Sequence, residues 1–187
     1  MQLSSAQKAE IDKNVKAGLE RMRAFQGAEG GFQYWPGGGG AGVQLWVTSY
    51  VGHFLIEAER RGYPLPPEMR SRWTQFQRTR AQSWAPGKSE SVVEQAYRLY
   101  TLAVAGEPEL GAMNRLREER PEGLAQWLLS GAYHAAGVRD AADVLSQSAG
   151  LSPLAPAAGD PASGSTFASP LRDKGLVLQM LALRRDV

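Results

Sequence analysis

The sequence predicts an all-α fold built from helical hairpins, and three observations carry that prediction. Apolar residues recur every three or four positions in one segment after another, the spacing of a helix with one buried stripe. No segment sustains the alternation of apolar and polar residues that a half-buried strand requires. Glycine and proline fall between the periodic segments, in short turns that fold successive helices back on one another.

The elements follow in order. Ile11, Val15, Leu19, Met22 and Phe25 define the stripe of a first helix between Ser4 and Gln26, and Ser4 with Gln7 forms a capping box at its start. The glycine-rich stretch from Gly30 to Gly42 cannot be helical. Val47, Tyr50, Val51, Phe54, Leu55 and Ala58 mark a second helix that ends at Arg61-Gly62, and Pro64, Pro66 and Pro67 hold the next connection extended. A third helix starts near Glu68, buries Met69, Trp73 and Phe76, and closes at Trp84 to Gly87. Ser91 and Glu94 make a second capping box before Ala96, Leu99, Tyr100 and Ala103, a helix stopped by Gly106 and Pro108. A short helix covers Leu110 to Glu118. Pro121 suits the first turn of the helix carrying Leu124, Trp127, Leu128, Ala132 and Ala135, which Gly137 ends. Asp140 to Gln147 reads as a further short helix, and residues 148–168, rich in Pro, Gly, Ala and Ser, read as a long flexible loop. The last helix has Ser169 as cap and Pro170 in its first turn, with Leu171, Gly175, Leu178 and Ala182 as its stripe.

At 187 residues, with 43% hydrophobic and 21% charged, residues 1–187 form one domain able to bury its own core. With no cysteine, disulfides, thiolate zinc sites and cysteine nucleophiles are excluded. The net charge of +2 is spread, as in Glu57, Glu59, Arg60 and Arg61, so no basic face for nucleic acid is expected. No apolar run approaches the roughly 20 residues of a membrane span, and Met1 to Glu10 has no apolar signal core, so any export signal lies outside these residues.

No catalytic, cofactor-binding or metal-binding residue is assigned. Gly37 to Gly42 lacks both the Gly-Lys-Ser/Thr and the preceding strand of a phosphate loop. His53 and His134 have no second histidine at ligand spacing and read as core or rim residues. Glu90 with Glu94 and Asp140 with Asp143 have the spacing of acid-base pairs, but solvation and capping explain that spacing as well. No Gly-x-Ser-x-Gly elbow is present. The distinctive run is Phe25 to Trp35, where a tight Gly-Gly turn is flanked by Phe32, Tyr34 and Trp35, aromatics suited to plugging the end of a helical barrel.

The run Gly30 to Gly38, followed by Leu45 to Val51 and His53 to Ala58, resembles the thioester domain of the bacterial alpha-2-macroglobulins in order and spacing. Gln95 to Gly106 and Ser169 to Leu176 look like later helices of the same domain, so the resemblance extends from about Ile11 onward. The resemblance implies part of an α/α toroid, in which inner and outer helices alternate, as in terpene cyclases and protein prenyltransferases. In that family a Cys-Gly/Leu-Glu-Gln segment upstream of this region forms an internal thioester that captures a protease once its bait region is cut. Without cysteine this chain cannot form one, and it is expected to be scaffold. Phe32, Tyr34, Trp35, Trp46, Tyr50 and His53 are then structural or interaction candidates. The implied partners are proteases, through the full-length parent, and the parent's other domains, with self-association through faces an incomplete ring leaves bare. The implied location is periplasmic or at the cell surface. The competing readings are an α/α-toroid enzyme of the cyclase or polysaccharide-lyase type, for which an Asp-rich motif is missing, and a protein-binding module.

Overall fold

The computed structural model describes residues 3–38, 42–87, 90–149 and 169–184. Among these the chain is helical, with eight α-helices and a single isolated bridge between Gln26 and Phe32. Residues 150–168 of the expected loop lie outside the described residues.

Helix α1 is Ser5–Met22, α2 Leu45–Arg60, α3 Met69–Ser83 and α4 Val92–Val104. Helix α5 is Leu110–Glu118, α6 Gly123–Ala135, α7 Arg139–Ser148 and α8 Pro170–Leu183. Both capping boxes form. The Ser4 amide donates to Gln7 Oε1 at 2.9 Å and the Ser91 amide to Glu94 Oε2 at 3.0 Å, so each box satisfies a backbone donor that the first helical turn cannot. At α8 the Arg172 amide donates to Ser169 Oγ at 3.1 Å, as a serine cap should accept. Pro121 is not in the first turn of α6. The helix starts at Gly123 after Glu122, because the left-handed backbone of Arg120 and Gly123 bends the chain there, and Pro121 is buried ahead of it.

The packing separates the helices into two sets. Helices α2, α4, α6 and α8 pack in series, α2 on α4, α4 on α6 and α6 on α8, while α3, α5 and α7 cover them from outside. This is an alternation of inner and outer helices, with α4 at its centre. Every residue of α4 from Glu94 to Val104 is buried, so the helix has no solvent face. Its polar side chains bond to the neighbouring helices, Gln95 Nε2 donating to the Ala81 carbonyl at 3.1 Å and Arg98 Nε to Gln77 Oε1 at 3.2 Å, while Gln77 Nε2 in turn donates to Ser49 Oγ at 2.9 Å; Arg98 Nη2 is buried without a hydrogen bond among the described residues. These bonds tie α4 to α3 and α3 to α2. Between the latter two, Trp73 is fully buried against Gly52, where a Cβ would lie 2.0 Å from the indole. The indole N–H donates to the Thr48 carbonyl at 2.9 Å.

Two expected stripes face differently. In α1 only Leu19 is buried, Val15 and Met22 are partly covered and Ile11 is 44% exposed. In α8 the buried residues are Asp173, Val177 and Met180, whereas Leu171 and Leu178 are 82% and 67% exposed. The helix is rotated because its contacts lie with α6 and α2, and no described element covers the leucine face.

Candidate functional site

The Gly-Gly turn is built by close backbone approach. The Gly27 amide donates to the Gly31 carbonyl at 2.8 Å, the Gln33 amide donates to the Phe25 carbonyl at 3.0 Å, and Gln26 Nε2 donates to the carbonyls of Gly30 and Met69 at 3.0 and 2.9 Å. Gly30 has φ +98°, and a Cβ on it would fall 2.1 Å from the Arg72 carbonyl oxygen, so only glycine fits. From the other side Arg72 Nη2 donates to the carbonyls of Gly27 and Ala28 at 2.8 and 2.9 Å. The turn is thereby fastened to α3. Phe32 is 1% exposed, and its amide donates to Thr48 Oγ1 at 2.9 Å. Tyr34 and Trp35 stand at the surface, Trp35 with 65% of its area exposed, so of the three expected plug aromatics only Phe32 is inserted.

The structure gathers Trp46, Tyr50 and His53 with residues from distant helices. A groove of about 330 Å³ opens between α2 and α8, lined by Trp46, Val47 and Tyr50 from α2, Arg172 and Leu176 from α8, and Tyr97 of α4. Trp46 is buried against Tyr97, with ring centroids 4.6 Å apart, and Tyr50 stands exposed beside it. The Arg172 guanidinium lies 4.5 Å from the Trp46 ring centroid and its Nε donates to Asp173 Oδ1 at 2.7 Å.

Behind the groove His53 bridges three helices. Its Nδ1 is 3.1 Å from the Tyr97 hydroxyl and its Nε2 is 3.1 Å from Gln179 Nε2 of α8, while Tyr97 and Tyr100 present their rings edgewise to it. With the Gln179 amide donating, Nε2 accepts, and Nδ1 carries the proton and donates to Tyr97. Burial holds the imidazole below its ordinary pKa, with Glu57 opposing and Arg60 reinforcing. Burial likewise pushes the Tyr97 phenol upward and that of Tyr100 up to about 12. At neutral pH the cluster is therefore uncharged.

Glu90 and Glu94 are engaged elsewhere and do not form an acid-base pair, and of the other pair Asp143 contacts Arg184. Glu94 is spent in its capping box, and Glu90 contacts Arg80 and the fully buried Arg98, the latter at 2.8 Å. Among the described residues no group of three or more His, Asp or Glu side chains has the arrangement to hold a metal ion. Nor is any described helix long and apolar enough to cross a membrane. Tyr97, Arg172, Leu176 and Gln179 were not picked out as site residues in the sequence. The nearest signal is the run of polar residues through a helix as apolar as α4, which marks it as central.

What fold and groove define is an all-α module of inner helices sheathed by outer ones. No protein-family profile matches the chain. Its sequence is 28% identical over 119 residues, 58% of the chain, to the alpha-2-macroglobulin of Escherichia coli strain K12, of which this covers 7%. The whole chain superposes with a TM-score of 0.81 and 24% identity on 30% of an E. coli alpha-2-macroglobulin structure spanning domain MG7 to the C-terminus. It also superposes, over 96% of its length, with a TM-score of 0.78 and 25% identity on 12% of a Salmonella alpha-2-macroglobulin reacted with methylamine. The chain is thus a relative in sequence, and a match in fold, of a region of the bacterial alpha-2-macroglobulins, and it spans only a small part of their length.

Proposed function

We propose that this chain is the helical scaffold of a thioester-type domain in an alpha-2-macroglobulin-like protease trap, the part that follows the thioester segment. The observation that carries the reading is the superposition of the entire chain, inner and outer helices together, on the E. coli protein with a TM-score of 0.81. The relatives supply the activity. One solved Salmonella structure is of protein reacted with methylamine, and others from E. coli are of protein activated by trypsin and by porcine elastase. Having no cysteine, this chain contributes support and contact surface. Its partners are the other domains of its parent and, through them, a protease, in the periplasm or at the cell surface. Tyr34, Trp35 and Tyr50, which present aromatic area to solvent, are the contact residues toward neighbouring domains.

The test uses the complete polypeptide of the reading frame, incubated with elastase or trypsin. A trap leaves cleavage of a small peptide substrate intact and suppresses cleavage of a large protein substrate. Undiminished cleavage of both overturns the reading. A gain in mass on treatment with methylamine separates a covalent trap from one that acts by enclosure.

A further inference from the structure

We propose that His53 is a pH-operated latch for α8: the neutral imidazole clasps this helix against α2 and α4, and the imidazolium releases it. The geometry is a three-helix junction. His53 belongs to α2, its Nδ1 meets Tyr97 of α4 at 3.1 Å, and its Nε2 meets Gln179 of α8 at 3.1 Å, across 126 residues of sequence. No other hydrogen bond in the described residues joins α2 directly to α8; their second polar contact is the stacking of Arg172 on Trp46.

Protonation turns Nε2 from acceptor into donor, facing an amide that already donates to it, and places a charge in a site that is 9% exposed. The groups around that charge compensate its burial only in part. Helix α4 faces it with the phenols of Tyr97 and Tyr100, both held protonated by burial, and α8 faces it with the uncharged Gln179. On its own helix Glu57 attracts it and Arg60 repels it, and the Glu57 carboxylate is already shared between Arg60 at 3.1 Å and Arg61 at 2.5 Å, so burial outweighs its pull. The charged pair of α8, Arg172 and Asp173, lies roughly two turns toward its N-terminus and is mutually paired.

Hydration is the remaining way to stabilise the imidazolium, and the elements around it differ in how readily they give way. Helix α4 is buried on every side. Helix α8 buries only Asp173, Val177 and Met180 and turns two leucines to solvent, so its departure is the cheaper route for water. The same uncovering widens the groove, since Arg172 and Leu176 form its α8 wall.

Hydrogen exchange of the full chain, followed from about pH 7.5 to about pH 5 and corrected for the intrinsic rate, tests the latch. Protection across residues 174–183 is expected to fall about tenfold per pH unit once the pH is below that of a free imidazole, while α6 keeps its protection. In His53→Gln the pH dependence disappears, and in His134→Gln it stays. A fall shared equally by α6, or one that persists in His53→Gln, overturns the proposal. Gln179→Leu removes the clasp from the other side: protection of α8 is expected to be lost already at neutral pH, and unchanged protection there counts equally against the latch.

Discussion

Arg98 shows how much a single buried charge depends on its surroundings. Its side chain is fully buried on α4 and burial lowers its pKa, opposed by the carboxylate of Glu90, itself only 11% exposed. Removing the carboxylate leaves the guanidinium in the core with the Gln77 and Gln95 amides and the weaker attraction of Glu94. Glu90→Ala is therefore expected to destabilise the chain by about 3–5 kcal/mol in urea unfolding, whereas Arg98→Met combined with Glu90→Gln costs far less, because no charge is left stranded. Tyr100 gives a pH-dependent counterpart. Its folded pKa, pushed up to about 12, lies above the unfolded value of 10.0, so its contribution to stability is complete below pH 10 and is lost as the pH rises toward 12 and the unfolded chain ionises first. Unfolding followed between about pH 9 and about pH 11 is expected to lose at most about 1.5 kcal/mol through this residue, and Tyr100→Phe to blunt the loss. Of the candidate site, Trp46, Tyr50 and His53 were legible in the sequence as residues worth watching. Their partners were not: Tyr97 lies 44 residues from His53 and Gln179 lies 126, and only the packing of inner helices brings them together.

Among the elements, capping chemistry was the most legible signal, since a Ser with Gln or Glu three residues later acts locally and needs no tertiary context. Helix existence followed from periodicity for the same reason. Helix orientation did not. An inner helix touches neighbours on several sides, so the apolar stripe of α8 at Leu171, Gly175 and Leu178 gave way to a face that buries Asp173, held in place by Arg172. In α2 likewise, Tyr50 and Phe54 share the periodic stripe yet remain 64% and 37% exposed. The contact between α2 and α3 depends instead on a residue without a side chain. A methyl group at Gly52 would overlap the Trp73 ring at 2.0 Å, and Trp73 is anchored to the Thr48 carbonyl and cannot retreat. Gly52→Ala is expected to cost about 1–3 kcal/mol in thermal or urea unfolding, despite the better helix propensity of alanine.

For the whole molecule, the outward face of α8 stands out as uncovered among the described residues. Leu171 and Leu178 expose 82% and 67% of their area, and the self-association expected of an incomplete ring would use this face. Sedimentation across a range of concentrations is expected to show reversible association that Leu171→Lys with Leu178→Lys abolishes, with monomer stability changed by less than about 0.5 kcal/mol because the residues are already solvated. A wild-type chain that stays monomeric throughout removes self-association. The helix at the opposite extreme is α4, which has no solvent face anywhere from Glu94 to Val104. Such a segment cannot drift in evolution one residue at a time, since each side chain is fitted against neighbours on other helices. The outer helices and the leucine face of α8 are free of that restraint. Divergence among relatives is therefore expected to accumulate at the rim and to spare the axis, so that common ancestry would stay readable longest in the inner helices.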